Sequence, residues 1–200
     1  MKKVFLAAVG LATVLAHAAS AATESPPKLA REVCSKCHGP EGISQSPLFP
    51  RLAGQQAEYL DQQLHQFRDR SRGDPHAQAY MWGVAGPLTD AQIKSISEYY
   101  ASRKPVHGAA PSDPALAAKG KEIFFNGLEA RNVPACAGCH GEQAEGQGAI
   151  PRLAGQHADY LYRQLRDFRS ELRENETMHA NVQSMTDDDA AALTEYLASQ

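Results

Sequence analysis

The stretch CSKCHGP, residues 34–40, and its near copy CAGCHGE, residues 136–142, contain all four cysteines of this 200-residue chain. Each stretch places two cysteines three positions apart, with a histidine directly after the second. Such a pair can form a redox disulfide, contribute to a zinc site or attach a haem, and the adjoining histidine helps to separate these options.

The C-x-x-C-H pattern favours covalent attachment of haem. In a helix, Cys34 and Cys37 lie one turn apart on nearly one face, so both sulfurs can bond to the two vinyl groups on one haem edge. His38 can then turn its imidazole towards the iron. A zinc site would need a fourth ligand or two converging motifs, and a thioredoxin-like pair expects a strand before a helix. We therefore predict two haem c groups, the second of them bound by Cys136, Cys139 and His140.

The first residues have the features of an export signal. A positive MKK is followed by the apolar run VFLAAVGLATVLA and by the small residues HAASAA. The apolar run is short for a membrane span, although a retained anchor is the alternative. We predict a signal peptide over residues 1–22, cleaved after one of residues 18–22, and a periplasmic protein.

The rest of the chain is a tandem repeat. FPRLAGQQAEYLDQQLHQFR from Phe49 matches IPRLAGQHADYLYRQLRDFR from Ile150, and PLTDAQIKSISEYYAS from Pro87 matches SMTDDDAAALTEYLAS from Ser184. A repeat of this size predicts two homologous domains rather than a solenoid. The segment from Arg103 is rich in proline, glycine and small residues and predicts a linker. The predicted domains are residues 23–103 and 113–200, joined by residues 104–112.

Helix and loop account for both halves. Leu60, Leu64 and Phe67 recur with the spacing of one helical face, as do Leu161, Leu165 and Phe168. Capping residues predict three helix starts, at Asp113–Pro114, at Thr89 with Gln92, and at Thr186. No stretch shows strand alternation. The predicted fold class is all-α.

The sixth ligand of each iron decides between electron transfer and chemistry on a bound molecule. Met81 and Met178 occupy matching places in the two halves, each seven residues before the residue that precedes a helix cap. A methionine opposite histidine raises the haem potential, as in electron-transfer cytochromes. We predict Met81 and Met178 as iron ligands, with core packing as the alternative. His76 and His179 are rival ligands, whereas Met185 is expected to be a packing residue.

The P-R-L-A-G-Q loops follow each haem motif. Arg51 and Arg152 could neutralise haem propionates or could be solvated loop residues. His65, His107 and His157 follow no matching pattern and are expected at the surface.

The order and spacing of these features resemble the dihaem cytochrome c4 family over nearly the whole mature chain. The resemblance implies two class I cytochrome c domains related by a pseudo-twofold axis, each wrapped around one haem, with the propionates close together. It also implies that the carbonyls of Pro50 and Pro151 receive the Nδ1 protons of the haem histidines, a bond that fixes the ring. The chain departs from the pattern at Trp82, an unusual residue beside Met81.

The predicted function is that of an exported electron carrier between a dehydrogenase or quinol-oxidising complex and an oxidase or reductase. A haem enzyme, either a dihaem peroxidase or a thiosulfate dehydrogenase, is the alternative, as is a fixed subunit of a larger complex. The formal charge of −3 leaves no basic excess to neutralise phosphates, which argues against a nucleic-acid partner. Redox proteins are the expected partners of a monomer that can lie at the inner membrane surface.

Overall fold

The computed structural model describes residues 27–200, so the predicted signal peptide lies outside the described residues. Within this range the chain consists of helices and loops, and the only strand-like pairings are two isolated bridges, Leu128 with Val133 and Gln147 with Ile150. No helix of residues 27–200 combines the length and the apolar character of a membrane span. The all-α prediction is confirmed.

Four helices build the described part of the N-terminal half, which begins at residue 27. A π-helical turn, Ala30–Cys34, runs directly into the first of them, and a second π-helical turn, Ala77–Met81, runs into the third. A 3-10 turn follows the haem motif at Pro40–Gly42. The helices are α1 (Ser35–His38), α2 (Ala57–Arg68), α3 (Trp82–Ala85) and α4 (Asp90–Ala101).

Five helices build the C-terminal half. Its first helix ends ten residues before the cysteine motif, and the intervening loop contains a 3-10 turn at Glu129–Arg131. The helices are α5 (Pro114–Asn126), α6 (Ala137–His140), α7 (Ala158–Arg169), α8 (Glu176–Val182) and α9 (Asp187–Ala198).

The predicted caps are present. Asp113 Oδ1 accepts hydrogen bonds from the backbone N–H groups of Ala115 and Leu116 at the start of α5. Thr89 and Gln92 form a capping box on α4, and Thr186 forms the equivalent box on α9 with Asp189. Each box satisfies backbone N–H groups that would otherwise lack a partner at a helix start.

The predicted apolar stripes face the cores of the two halves. Leu60 and Phe67 are buried on α2, and Leu161 and Phe168 are buried on α7. In the C-terminal half the buried residues form one continuous cluster, to which Met185 belongs as predicted. In the N-terminal half they form two smaller clusters, one of them around Phe67. A helical domain of this size has a thin core, so a buried porphyrin would add much of its apolar contact.

The two halves meet through their P-R-L-A-G-Q loops. The Gln55 amide donates to the backbone carbonyl of Arg152 at 3.0 Å and accepts from its N–H at 2.7 Å. The Gln156 amide makes the same two bonds with the backbone of Arg51, both at 2.9 Å. This reciprocity is the signature of a pseudo-twofold axis that passes between the loops.

Candidate functional site

Each haem motif ends a helix with its histidine. His38 is the last residue of α1, and His140 is the last residue of α6. Gly39 and Gly141 follow them with φ of 76° and 82°, a conformation that glycine adopts without strain. A side chain at Gly39 would overlap the carbonyl of Ile43, because the chain turns back sharply at this point. The glycine therefore lets each motif close around its histidine.

A proline carbonyl orients each of these imidazoles. His38 Nδ1 lies 2.8 Å from the carbonyl oxygen of Pro50, and His140 Nδ1 lies 3.0 Å from that of Pro151. This is the contact that the resemblance implies. Burial lowers the pKa of both histidines, although the proline carbonyl acts in the opposite direction. Each ring is therefore neutral at physiological pH, and with Nδ1 donating its proton, Nε2 keeps a free lone pair for a metal.

The cysteines adopt the helical spacing that the motif requires. Cys34 and Cys136 both have right-handed helical backbone angles, and each precedes its partner by three residues. All four thiols are free, with Cys37 and Cys139 exposed and Cys34 and Cys136 half-buried. Burial raises the pKa of Cys136 to about 11. Among residues 27–200, no three His, Cys, Asp or Glu side chains converge as a zinc site would require.

The two candidate methionine ligands lie on matching segments. Met81 ends the π-helical turn before α3, and Met178 lies in the first turn of α8. Both are half-buried and contact a core cluster of their own half. Their neighbours Trp82 and His179 each place a ring nitrogen at hydrogen-bond distance from a backbone carbonyl of their own half. Trp82 Nε1 donates to the carbonyl of Arg72 at 2.9 Å, and His179 Nδ1 lies 3.0 Å from the carbonyl of Phe168.

The rival histidine of the N-terminal half differs from His179. His76 is half-buried, and its Nδ1 has no hydrogen-bond partner among the described residues. Its ring centroid lies 6.2 Å from that of Tyr80. The sequence of the C-terminal half is shorter by four residues in this region, so His76 has no counterpart there.

Arg51 and Arg152 lie at the interface between the two loops. Together with Gln55 and Gln156 they line a narrow cleft. Arg51 Nη1 donates to the carbonyl of Gly155 in the other half. The Nε atoms of Arg51 and Arg152 are both buried without a partner within residues 27–200. Burial lowers the pKa of both guanidinium groups. The two guanidinium groups can therefore bind an anionic group, whose negative charge would compensate their own positive charges.

A second interface cluster was not predicted. Arg72 donates to Gln63 and Gln164, both at 2.7 Å, and Arg173 donates to Gln164 at 2.6 Å and to Gln63 at 2.8 Å. All four side chains are buried. The matching positions in the two repeats were visible in the sequence, but nothing there shows that they meet.

The guanidinium groups of this cluster are stacked on aromatic rings. Arg72 lies 4.6 Å from the ring centroid of Phe67, and Arg173 lies 4.4 Å from that of Phe168. Burial alone would lower the pKa of Arg72, but the nearby tyrosines and Asp74 raise it overall. Burial alone would raise the pKa of Asp74, but Arg72 lowers it overall. Both residues are therefore charged.

The surface expectation for His157 is wrong. Its Nε2 lies 3.0 Å from the carbonyl oxygen of Ser44 in the other half, while Gln56 Nε2 donates to the carbonyl of Glu145 at 2.8 Å at the mirrored position. Burial, followed by the nearby Arg51, lowers the pKa of His157. The histidine is therefore part of the domain interface.

Two helical domains, each with a C-x-x-C-H motif and a proline-tethered histidine, define a c-type cytochrome with two haem sites. The family model described as cytochrome c matches residues 27–104 and 117–200. The cytochrome c4 of Thiocapsa roseopersicina is 41% identical over 175 residues, which cover 84% of this chain and 87% of the relative. The solved structure of cytochrome c4 from Acidithiobacillus ferrooxidans is 37% identical, with a TM-score of 0.79, and covers 84% of this chain and 98% of that chain.

A third relative carries a name that describes its role. The thiosulfate dehydrogenase electron acceptor of Thiomonas intermedia is 36% identical over 182 residues, which cover 88% of this chain and 81% of the relative. The chain belongs to the cytochrome c4 family. It is therefore a dihaem electron-transfer cytochrome rather than an enzyme.

Proposed function

We propose that the protein carries electrons through two haems, each bound by the cysteines of one motif and each with histidine and methionine as axial ligands. The cysteines are Cys34, Cys37, Cys136 and Cys139, and the axial pairs are His38 with Met81 and His140 with Met178. The observation that carries this proposal is the matched pair of Nδ1 contacts to Pro50 and Pro151. When bound, the haem iron supplies one-electron chemistry, and the chain fixes the histidine ring and excludes water.

The interface arginines complete the site. The buried, unpartnered Nε atoms of Arg51 and Arg152 suit the carboxylates of haem propionates. An anion held between them would offset two buried positive charges and link the domains. The position of both guanidinium groups in the interface cleft supports this role rather than that of a solvated loop arginine.

Family membership implies an exported protein, and the finer assignments are part of the proposal. Residues 1–22 are its signal peptide, residues 23–103 and 113–200 its domains, and residues 104–112 its linker. The mature protein is a periplasmic monomer that exchanges electrons at the surface of the inner membrane.

The charges of the two domains indicate the kind of partner. Residues 27–103 contain 9 basic and 8 acidic residues, whereas residues 113–200 contain 8 basic and 14 acidic residues. An acidic domain favours encounter with a basic surface near the haem edge of its partner. The donor is a dehydrogenase or a quinol-oxidising complex and the acceptor an oxidase or reductase, in line with the relative named as the acceptor of a dehydrogenase.

Carbon monoxide binding tests the ligand set. The mass of the exported protein should exceed that of the mature polypeptide by two haems, and carbon monoxide should leave the reduced spectrum unchanged because both irons are six-coordinate. Met81→Leu and Met178→Leu should each open one haem to carbon monoxide. Met185→Leu is the matched control, because Met185 is a core residue, and its spectrum should match that of the wild type. A closed haem in Met81→Leu would exclude Met81 as a ligand and favour His76.

A further inference from the structure

The buried cluster at the interface follows the pseudo-twofold axis except that only one of its two arginines has an acidic partner. Gln63 and Gln164 accept from both Arg72 and Arg173, so these four residues follow the pseudo-twofold axis. Arg72 also forms an ion pair with Asp74, with Nε 2.8 Å from Oδ2. The residue at the position of Asp74 in the C-terminal half is Asn175, which carries no charge.

Asp74 and Asn175 have the same structural role. Asp74 Oδ1 accepts a hydrogen bond from the N–H of Ala77 at the start of the turn that ends in Met81. Asn175 Oδ1 accepts from the N–H of Met178 itself. An asparagine therefore provides this cap in one half and a carboxylate provides it in the other. The two differ in charge and in surroundings, because Asp74 is 1% exposed and Asn175 is exposed.

Asp74 is connected to the segment of the candidate N-terminal ligand, because it caps the turn that ends in Met81. Its partner Arg72 stacks on Phe67, and Met81 and Trp82 pack against the cluster that Phe67 belongs to. Trp82 also bonds to the backbone carbonyl of Arg72. In the other half Arg173 stacks on Phe168, in the cluster that Met178 contacts, and Arg173 has no carboxylate within ion-pair distance among residues 27–200.

The C-terminal half contains two buried carboxylates, Asp167 and Asp189, and Asp189 belongs to the capping box of α9. Asp167 is fully buried on α7, where Gln66 stands in the N-terminal half. Its Oδ1 accepts from Nε and Nη2 of the adjacent Arg166 in the same helix, while its Oδ2 has no partner among the described residues. Arg173 therefore has no ion pair of its own among residues 27–200, whereas Arg72 is paired with Asp74.

We propose that Asp74 lowers the reduction potential of the N-terminal haem relative to the C-terminal haem, so that a single electron resides mainly in the C-terminal domain. A buried negative charge stabilises the ferric form, which carries one more positive charge than the ferrous form. This inference rests on the proposed binding of two haems.

The test is the isosteric variant Asp74→Asn in the holoprotein. Asparagine keeps the cap through Oδ1, as Asn175 does in the other half, and removes the negative charge together with the bond that Oδ2 accepts from Arg72. A spectroelectrochemical titration would give both midpoint potentials, and the haem-methyl NMR signals of the ferric protein would assign each to its domain. The equilibrium constant for electron transfer between the haems should change by about tenfold in favour of the N-terminal haem, which corresponds to about 59 mV for one electron.

Two further variants separate charge from structure. Asp69→Asn removes a carboxylate whose side chain is 59% exposed on the same segment, and it should leave both potentials unchanged because water screens its charge. Asn175→Asp should lower the potential of the C-terminal haem, by less than Asp74→Asn raises the other, because Asn175 is exposed. The charge-transfer band of the ferric iron–methionine bond should persist in all three proteins.

Several results would overturn the inference. Potentials in Asp74→Asn that move no more than in Asp69→Asn, with the methionine band intact, would exclude a role for the charge. If Asp74→Asn failed to fold, an unchanged potential of the C-terminal haem in Asn175→Asp would likewise exclude a role for a charge at this position. A protein whose mass lacks two haems would instead contradict the proposed function, and mass spectrometry shows this before any titration.

Discussion

The two halves of the molecule preserve the same contacts around the haem motif but differ in how that motif is connected to the first helix. In the N-terminal half the helical segment from Ala30 runs without interruption into His38. In the C-terminal half α5 ends at Asn126, and a loop precedes the short helix α6. The imidazole contact to proline is nevertheless the same in both. The ligand geometry therefore depends on the local turn and the proline loop rather than on the length of the preceding helix.

The same comparison shows where each half gains its stability. The C-terminal half has one continuous core beside α5 and α9, whereas the N-terminal half has two smaller clusters. Helix α5 packs tightly against α9 at Gly120, where an added Cβ would overlap the carbonyl of Ala192 and lie 2.9 Å from the Cβ of Tyr196. The corresponding residue of the N-terminal half is Ala30, which is buried.

The largest expected effect follows from this difference. Gly120→Val should destabilise the C-terminal half by at least about 3 kcal/mol, because helix α5 would have to move away from α9. Helix propensity alone would favour replacing glycine, so the sign of the effect tests the packing. Thermal unfolding of the holoprotein followed by circular dichroism measures it. The matched change Ala30→Gly should cost only about 1 kcal/mol, and a Gly120→Val protein as stable as the wild type would refute the close packing.

The reciprocal contacts at the interface predict that equivalent glutamine substitutions in the two halves lower the stability equally. Gln63→Ala and Gln164→Ala each remove one acceptor from both buried guanidinium groups, at a cost of about 2 to 3 kcal/mol. Because both arginines keep one glutamine acceptor in each single variant and lose both in the double variant, the double variant should cost more than the sum of the single ones. Chemical denaturation of the four proteins completes the cycle. Strongly unequal single effects would show that the cluster is not reciprocal.

Much of the site follows from the sequence because it depends on local spacing. The C-x-x-C-H motif, the caps at Thr89 and Thr186 and the packing role of Met185 all depend on residues a few positions apart. Short-range geometry of this kind is fixed by helix periodicity, so a single sequence is enough to predict it.

The domain interface could not be predicted in the same way. Gln55 and Gln156 match in the repeat, yet a match shows equivalent positions and does not show which backbone each side chain reaches. His157 was expected at the surface because its counterpart is Gln56 rather than a histidine. Both residues nevertheless donate across the interface, since an imidazole and an amide can each supply an N–H to a carbonyl.

The capping boxes differ in charge and therefore in their response to pH. Burial alone would raise the pKa of Asp189, but hydrogen bonds from Arg131, Thr186 and Lys119 lower it well below its usual range. A lowered pKa in the folded state contributes stability above the unfolded pKa of about 4, and that stability is lost as the pH falls below it. Asp189→Asn should therefore cost about 1 to 2 kcal/mol at neutral pH.

The control for this prediction is the uncharged box of the N-terminal half. Gln92→Ala removes the equivalent cap of α4, and its effect should be the same at neutral and at acidic pH because Gln92 does not titrate. Urea unfolding of both variants and the wild type at each pH makes the comparison. A cost of Asp189→Asn that persists in acid would assign its effect to shape rather than to charge.

The smallest expected effect concerns Trp82 and His179, the two side chains that fix the methionine segments to the rest of their domains. Trp82→Phe removes the N–H that bonds to the carbonyl of Arg72, and it should cost about 1 kcal/mol. Because Trp82 follows Met81, the loss should loosen only the N-terminal methionine, so that added imidazole displaces it from ferric iron at lower concentration. His179→Phe should have the same effect on Met178 alone, since His179 contacts Phe168 in the other half. Titration of the iron–methionine band with imidazole measures both variants. If both variants weakened the methionine ligand of the same haem, or if neither variant weakened one, Trp82 and His179 would not be equivalent. The unusual tryptophan would then have another role.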